Sequence, residues 1–398
     1  MKLAMTLMVR NEADVIEDNL RFHRAQGVDF FIILDNGSTD GTLKILESYE
    51  RAGILSVVSM PGPLLKLLRE GTTQIGRMAH EMGADWVIHN DADEFWWPVT
   101  GSNLKESLAA VPDRFGILLA PRTEFLPRPD GAGSFAERLV IREARFRRPP
   151  KTAHRAHPLI QMWTTHPIDV WVNRGSSPQG GMVGKPALRA QPTHVEENQL
   201  DMVLAPQFPI GVLHFPLRSF QQYRNKVELV GDNRMFDRSA EAREIRQAYE
   251  AGRLEDVYEN LILDDETVGS GLAEGWLVED TEFRDYLLAC PGVLEEGEPP
   301  PGSRAWPQER RQAALAELKE DGMYAISRYM QTVASKKRKR HMQIRELQRL
   351  RGDVRKSERQ IRRLHRRLQR RSQRLRKIEE SRWWRLRPRL PKQRRGGD

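Results

Sequence analysis

The sequence predicts an α/β protein with a mostly parallel sheet and flanking helices, followed by a C-terminal α-helical coiled coil. Three observations predict it. Four compact apolar runs alternate with helical stretches over residues 1–90. Short polar clusters follow three of those runs. Near the end of the chain, apolar residues recur every seven positions.

The first run is "LAMTLMV", followed by "NEADVIEDNLRFHRAQG", where Val15, Ile16, Leu20 and Phe22 form a rough helical stripe ending at Gly27. The second is "FFIILD", then the turn "NGSTDGT" and the helical "LKILESYERAG". The third is "LSVVSM", then the helical "TTQIGRMAHEMGA", and the fourth is "DWVIHN". Strand–helix alternation with short loops implies βαβ units, a parallel sheet and right-handed crossovers. Residues 115–235 are irregular, with two Gly/Pro-rich interruptions, "LPRPDGAGS" and "RGSSPQGGMVGKP". Such loops serve as substrate loops or as surface insertions. Residues 236–294 read as a helical extension and 295–310, with "EEGEPPPGSRAWP", as a linker. A basic helix is expected over 311–382, with Leu347, Val354, Ile361, Leu368 and Leu375 in one heptad position. Leu350, Leu364 and Ile378 occupy the other, interrupted by Ser357 and Arg371. A single extended amphipathic helix is the alternative. A basic Trp/Arg/Pro tail closes the chain at 383–398.

Charge divides the chain in two. Residues 336–398 carry 27 Lys/Arg against 6 Asp/Glu, leaving 37 against 49 for residues 1–335. An acidic body with a basic tail implies two separate jobs. No window approaches twenty apolar residues, and "MKLAMTLMVRNE" lacks a small-residue cleavage site, so neither a membrane span nor a signal peptide is expected. The single Cys290 excludes an internal disulfide and a Cys-based zinc site, and suits the cytoplasm.

In open α/β sheets, ligands collect at the carboxyl ends of the strands. Three polar clusters fall there: "RNE" at 10–12, "DNGSTD" at 35–40 and "DADE" at 91–94. Taken singly, each has a plainer reading, since Asn36-Gly37 makes a turn and Thr39 or Asp40 can cap the next helix. Asp91-x-Asp93 at a strand end puts two carboxylates on one side of the extended chain. Hard anionic donors suit Mg²⁺ or Mn²⁺, which complete their shells with water and phosphate oxygens. Trp96 and Trp97 serve either as an apolar wall for a sugar face or as core beneath the site.

"MTLMVRNEADVIEDNLRFHRAQGVDFFIILDNGSTDGT", followed by "DWVIHNDADEFW", resembles the bacterial family 2-like glycosyltransferases of the GT-A fold with a D-x-D-E-F signature, over roughly residues 1–230. The resemblance implies a nucleotide-sugar donor and a Mg²⁺ or Mn²⁺ cofactor. It implies that Met8–Glu12, including Val9, Arg10 and Glu12, together with Asp35, hold base and ribose. Asp91 and Asp93 would take the metal and diphosphate, with Glu94 orienting the donor. A polar or basic residue before the D-x-D strand is expected near the phosphates, with Arg77 favoured over Gln74 and Arg69. "VLHFPLRSFQQYRNKV" is similar to a second segment of the group and offers His214 as third metal ligand, with Arg218, Ser219 and Lys226 reaching phosphate or acceptor. His154, His157, His166 and His194 have no partner spacing that singles them out. The group's usual proline-threonine-tyrosine before "NE" is replaced by Met8, Val9 and Arg10, and no clear "ED" pair marks a general base. Glu196 and Asp169 are the catalytic-base candidates, ahead of Glu197 and Asp201.

The implied activity is inverting transfer of a sugar onto a glycan or lipid-linked acceptor. The alternative is an inactive GT-A-like interaction protein whose basic coiled coil binds membrane or nucleic acid. A nucleotidyltransferase would carry a Gly-rich basic loop after the first strand, which "RNEADV" lacks. Trp383 and Trp384 among arginines suit an anionic membrane interface, and the same composition suits nucleic acid. The body's resemblance to an enzyme of surface-glycan assembly favours a membrane or an acidic partner, and with it a cytoplasmic protein peripheral to the inner face of the membrane. The heptads imply a homo-oligomer.

Overall fold

The computed structural model describes residues 1–63, 67–99, 103–158, 160–162, 170–172, 209–231, 240–295 and 307–325, with scattered helical positions from 327 to 377. The chain forms two units, Met1–Tyr329 and Met330–Asp398. The first therefore contains the expected 236–294 extension, and the boundary lies beyond the expected 295–310 linker. In the second, the described positions 331, 369, 372–374, 376 and 377 are helical. The heptad region otherwise lies outside the described residues.

The expected strands form as β1 (Leu3–Val9), β2 (Phe30–Asp35), β3 (Leu55–Ser59) and β4 (Trp86–Asp91). Between them run α1 (Ile16–Ala25), α2 (Thr42–Arg51) and α3 (Thr72–Glu81), the last preceded by a π-helical turn, Leu67–Gly71. β2 is buried along its whole length and β1 nearly so, as central parallel strands covered on both faces must be. β1 pairs in parallel with both β2 and β4, and β2 with β3.

Beyond β4 the chain departs from a simple βαβ series. β5 (Glu94–Pro98) follows β4 after only Ala92 and Asp93. Next come α4 (Leu104–Ala109), β6 (Ile117–Glu124), α5 (Phe135–Arg138), β7 (Ile141–Glu143) and β8 (Arg148–Arg155). β9 (Ile160–Met162) and β10 (Val170–Val172) form a separate two-stranded sheet, and β11 (Ile210–His214) returns to the main one. The main sheet has the order β3-β2-β1-β4-β8-β6-β11-β5. β6–β11 is parallel, while β4–β8, β6–β8 and β5–β11 are antiparallel. The sheet is mixed, with a parallel half built from β1 to β4.

After β11 comes α6 (Phe220–Gly231), and the residues expected to be a helical extension give α7 (Ala240–Glu250), α8 (Leu254–Glu259), α9 (Asp265–Glu274) and α10 (Glu282–Ala289). They also include β12 (Leu277–Glu279), paired antiparallel with β7. α10 is integral to the core: Phe283 lies 4.8 Å from the Phe95 ring and 4.9 Å from Phe215. A helix over 308–325 is fastened by Asp321, fully buried, which accepts from Arg145 Nε at 2.9 Å, Arg147 Nε at 3.1 Å and the Phe146 N–H at 2.8 Å. Among the described residues no helix is long and apolar enough to cross a membrane.

Candidate active site

The site is built where β1, β2 and β4 end. β1 runs into Asn11, whose backbone sits in the left-handed region at φ 56°, a conformation asparagine tolerates better than most side chains. Its side-chain Oδ1 accepts from the Thr39 N–H at 2.8 Å, and its backbone N–H donates to the Ser38 hydroxyl at 3.0 Å, tying the first polar cluster to the second. Asp35, 2% exposed, accepts from the Gly37 N–H at 3.0 Å and the Ser38 N–H at 3.2 Å. Those bonds make it the anchor of the turn, with lone pairs to spare. Asp40, one residue before the N-cap Gly41, accepts from both the N–H and hydroxyl of Thr42, the first residue of α2.

The "DADE" cluster is held from beneath by α1. Asn19 and His23 lie one turn apart on its buried face. The Asn19 amide donates to the Ala92 carbonyl at 2.8 Å and the Glu94 carbonyl at 2.9 Å, and Asn90 donates to the Glu94 carbonyl at 3.0 Å. Trp96 is fully buried and donates to Asn90 at 3.0 Å, and Trp97 packs edge-on to Tyr286. Both tryptophans are core, so the sugar-wall reading does not hold in this arrangement.

The two aspartates do not share one environment. Asp91 is 41% exposed and its Oδ2 lies 2.5 Å from Lys151 Nζ. Asp93 is 7% exposed, with its Oδ2 at 2.5 Å from Lys226 Nζ, 3.5 Å from His214 Nε2 and 3.6 Å from Arg218. The two-residue spacing that was expected to align them is consumed by the β4–β5 turn. Glu94, fully buried, receives Lys151 at 2.9 Å and Arg122 at 2.7 Å. Glu124 stands 3.4 Å from His214 Nδ1, opposite the ring nitrogen that faces Asp93. Strand pairing places His214 beside Glu94 on one side and Glu124 on the other. Arg218, 1% exposed, is locked by Glu12 at 2.5 Å and Asp14 at 2.8 Å.

The result is a chain of alternating charge running from Asp91 through Lys151, Glu94, Arg122, Glu124, His214 and Asp93 to Arg218 and Glu12. Burial pushes the Asp93 carboxyl up, but Lys226, His214 and Arg218 outweigh it and hold Asp93 well below the usual carboxylate range. Burial raises Glu94 too, yet Lys151 and Arg122 bring it down to about 2. For Glu12 burial wins over Arg218, and its carboxyl rises to about 7. Burial lowers His214, but Asp93 and Glu124 more than compensate and its pKa is raised.

Among the described residues, no group of three His, Cys, Asp or Glu is placed to hold a metal ion. Asp93 and His214 do fit a divalent ion as two neighbouring ligands. Their 3.5 Å separation suits metal–ligand bonds of about 2.1 Å, and Mg²⁺-type ions take the rest of their shell from water and phosphate. Glu124 would fix the tautomer of His214 through the other ring nitrogen. Asp91, held by Lys151, stands apart from this pair.

The structure thus brings Glu12, Asp93, Glu94, His214 and Lys226 into one network that includes Asp91. Val9 pairs with Asp35, and its carbonyl accepts from the Asn36 N–H at 2.9 Å. Arg10 is half-buried beside them. Arg77 instead donates to the Ile160 carbonyl at 3.0 Å, fastening α3 to β9. Asp169 and Glu196 lie outside the described residues. Sequence reasoning missed Lys151, Arg122 and Glu124. The alternation of Arg122 and Glu124 along β6 was the available signal; a fully buried lysine in "RPPKTAHR" gave none. His154 lies in a separate buried chain, its Nε2 at 2.8 Å from His89 Nε2, with His89 Nδ1 at 2.6 Å from the Thr6 hydroxyl.

Comparison with solved structures gives overlaps with S. aureus TarS at 20% identity and a TM-score of 0.25, covering 33% of this chain and 23% of that one. A UDP complex of TarS residues 1–349 overlaps at 14% identity and a TM-score of 0.30, covering 58% and 65%. Glucosyl-3-phosphoglycerate synthase from Mycobacterium tuberculosis, in complex with Mn²⁺, UDP and glucosyl-3-phosphoglycerate, overlaps at 20% identity and a TM-score of 0.21, covering 30% and 44%. This chain spans less than two thirds of each of those chains. No curated protein matches it. By sequence, residues 5–200 match the family model of glycosyltransferase family 92, so this part of the chain, which carries the polar clusters at the ends of β1, β2 and β4, is similar to glycosyltransferases.

Proposed function

We propose that the chain transfers a sugar from a nucleotide-diphosphate-sugar donor to a hydroxyl of a glycan or lipid-linked acceptor. The observation that carries this reading is the pairing of Asp93 with His214 at the β4–β5 turn, beside the ends of β1 and β2. Asp93 and His214 would hold Mg²⁺ or Mn²⁺, which when bound neutralises charge on the departing diphosphate. The remaining work belongs to the chain itself. Asp35 and the 8–12 segment line the nucleotide end of the site. Lys226, a third exposed, reaches a phosphate oxygen. Fully buried Glu94 holds Lys151 and Arg122 in place rather than touching the proton in flight, since each of its two oxygens faces one of those cations.

In the reaction, the acceptor oxygen bonds to the anomeric carbon while the bond from that carbon to the diphosphate oxygen breaks. The leaving group keeps the electron pair, and a carboxylate takes the acceptor proton. A single displacement of this kind inverts the anomeric centre, in keeping with the family 2 resemblance of the D-x-D-E-F segment. Asp169 and Glu196 remain the proposed base candidates. The basic tail supports attachment to an anionic membrane surface or a homo-oligomer through its heptads.

The test is donor hydrolysis and transfer. The full chain is incubated with Mn²⁺ and a panel of UDP-, GDP- and dTDP-sugars, and released nucleotide is measured. Turnover with one base class supports the proposal. Absence of turnover and of binding across the panel favours an inactive interaction protein.

A further inference from the structure

Asp93 Oδ2 is the oxygen closest to His214, and it is already in use. Lys226 Nζ sits 2.5 Å from it and donates as well to the Pro216 carbonyl at 2.7 Å. The other nearby cation, Arg218, has no such freedom: it is 1% exposed and pinned by Glu12, Asp14 and the Phe215 carbonyl. Lys226 is 32% exposed, stands on α6 and ends a flexible four-carbon stem. A buried carboxylate left without a counter-ion is costly, so the donor-free protein needs a cation on Asp93. An ammonium and a divalent ion on one carboxylate oxygen repel strongly at that range.

We propose that Lys226 is the resident counter-ion of Asp93. It keeps a divalent ion off the Asp93–His214 pair until a nucleotide diphosphate arrives, and then passes from Asp93 to a phosphate oxygen. This rests on the glycosyltransferase reading and adds an order to it: metal alone binds poorly, whereas metal and nucleotide diphosphate bind together. The free enzyme avoids holding an ion that would attract phosphates other than its donor's. Lys226 thus acts as a positioning residue for Asp93 before it touches the donor.

The experiment measures Mn²⁺ binding to the full chain without nucleotide, by paramagnetic resonance of free Mn²⁺, and then nucleotide-diphosphate binding at saturating Mn²⁺ by calorimetry. Lys226→Met is expected to bind Mn²⁺ alone at least about tenfold more tightly than the wild type, and the nucleotide diphosphate about tenfold less tightly. Lys226→Gln, which keeps a neutral donor towards Asp93 and Pro216, should likewise bind Mn²⁺ more tightly and the nucleotide diphosphate less tightly. Lys226→Arg, which keeps the cation, should leave metal-only binding weak. Arg224→Met removes an equal charge from the same helix, where Arg224 pairs with Glu228, and should change neither. Opposite shifts confined to the Met and Gln variants support the proposal. Unchanged or weaker Mn²⁺ binding in both overturns it while wild-type nucleotide binding leaves the enzyme reading intact. Tighter Mn²⁺ binding with unaltered nucleotide affinity overturns the hand-over to phosphate. A wild type that binds no nucleotide diphosphate with Mn²⁺ overturns the enzyme reading and the inference together.

Discussion

His23 shows how a single buried residue fixes the site's floor. Its Nδ1 lies 2.9 Å from the Asn19 carbonyl, and its Nε2 accepts from the Trp96 N–H at 3.2 Å. Both bonds form only in the neutral ring protonated on Nδ1; a second proton would face the Trp96 N–H. Burial accordingly lowers the His23 pKa from 6.5 to about 3. Between those two values the unfolded chain binds the extra proton and the folded chain does not. Stability from this residue is therefore complete above its unfolded pKa and falls as pH drops towards about 3. His154, lowered to about 4 by burial, adds to the same slope. Chemical denaturation at a series of pH values should show stability falling below neutrality. A His23→Gln variant should be less stable at neutral pH and show a shallower slope. An identical slope in the variant contradicts the assignment.

At the scale of elements, the β4–β5 turn owes its shape to α1 more than to its own residues. Asn19 donates to two carbonyls of buried residues flanking the turn, those of Ala92 and Glu94, the second shared with Asn90. Asn19→Ala should cost roughly 2–4 kcal/mol, since two buried acceptors lose a partner, and should weaken nucleotide binding through the displaced Asp93. Denaturation and calorimetry on the same variant check both effects; loss of binding without loss of stability would contradict the link. The first four strands were legible because parallel strands covered on both faces are continuous apolar runs. β5 was not, because a two-residue turn leaves no loop signature between "DWVIHN" and "EFWWP". β8 was hidden by composition: "RPPKTAHR" reads as surface, yet Lys151, Thr152, Ala153 and His154 are buried, with Lys151 met by Asp91 and Glu94 and His154 by His89. The site followed the same division. Motif order pointed to the neighbourhood of Asp93 and His214, with Asp91 held apart on Lys151, whereas the buried cations around them come from strand pairing with no local signal.

For the whole molecule, the charge division between an acidic body and a basic tail matches a structural boundary after Tyr329, not one at the proline-rich segment before it. The helix over 308–325 belongs to the body because its buried Asp321 pairs with the partly exposed Arg145 and Arg147. A chain ending at residue 329 should keep the melting temperature and nucleotide affinity of the body while altering sedimentation or liposome binding. One ending at residue 305 should melt at least several degrees lower, having left Arg145 and Arg147 without their buried acceptor. Equal melting temperatures for the two would contradict the clamp. Unchanged sedimentation and liposome binding in the longer one would remove the role proposed for the tail.

The central claim is that Asp93, with His214, anchors a divalent ion against a nucleotide diphosphate. Calorimetry of the full chain with UDP, GDP and dTDP, with and without Mn²⁺, tests it most directly when repeated on Asp93→Ala. The account predicts Mn²⁺-dependent binding of at least one nucleotide to the wild type and its loss in the variant. Mn²⁺-dependent affinity retained after removal of that carboxylate would contradict it.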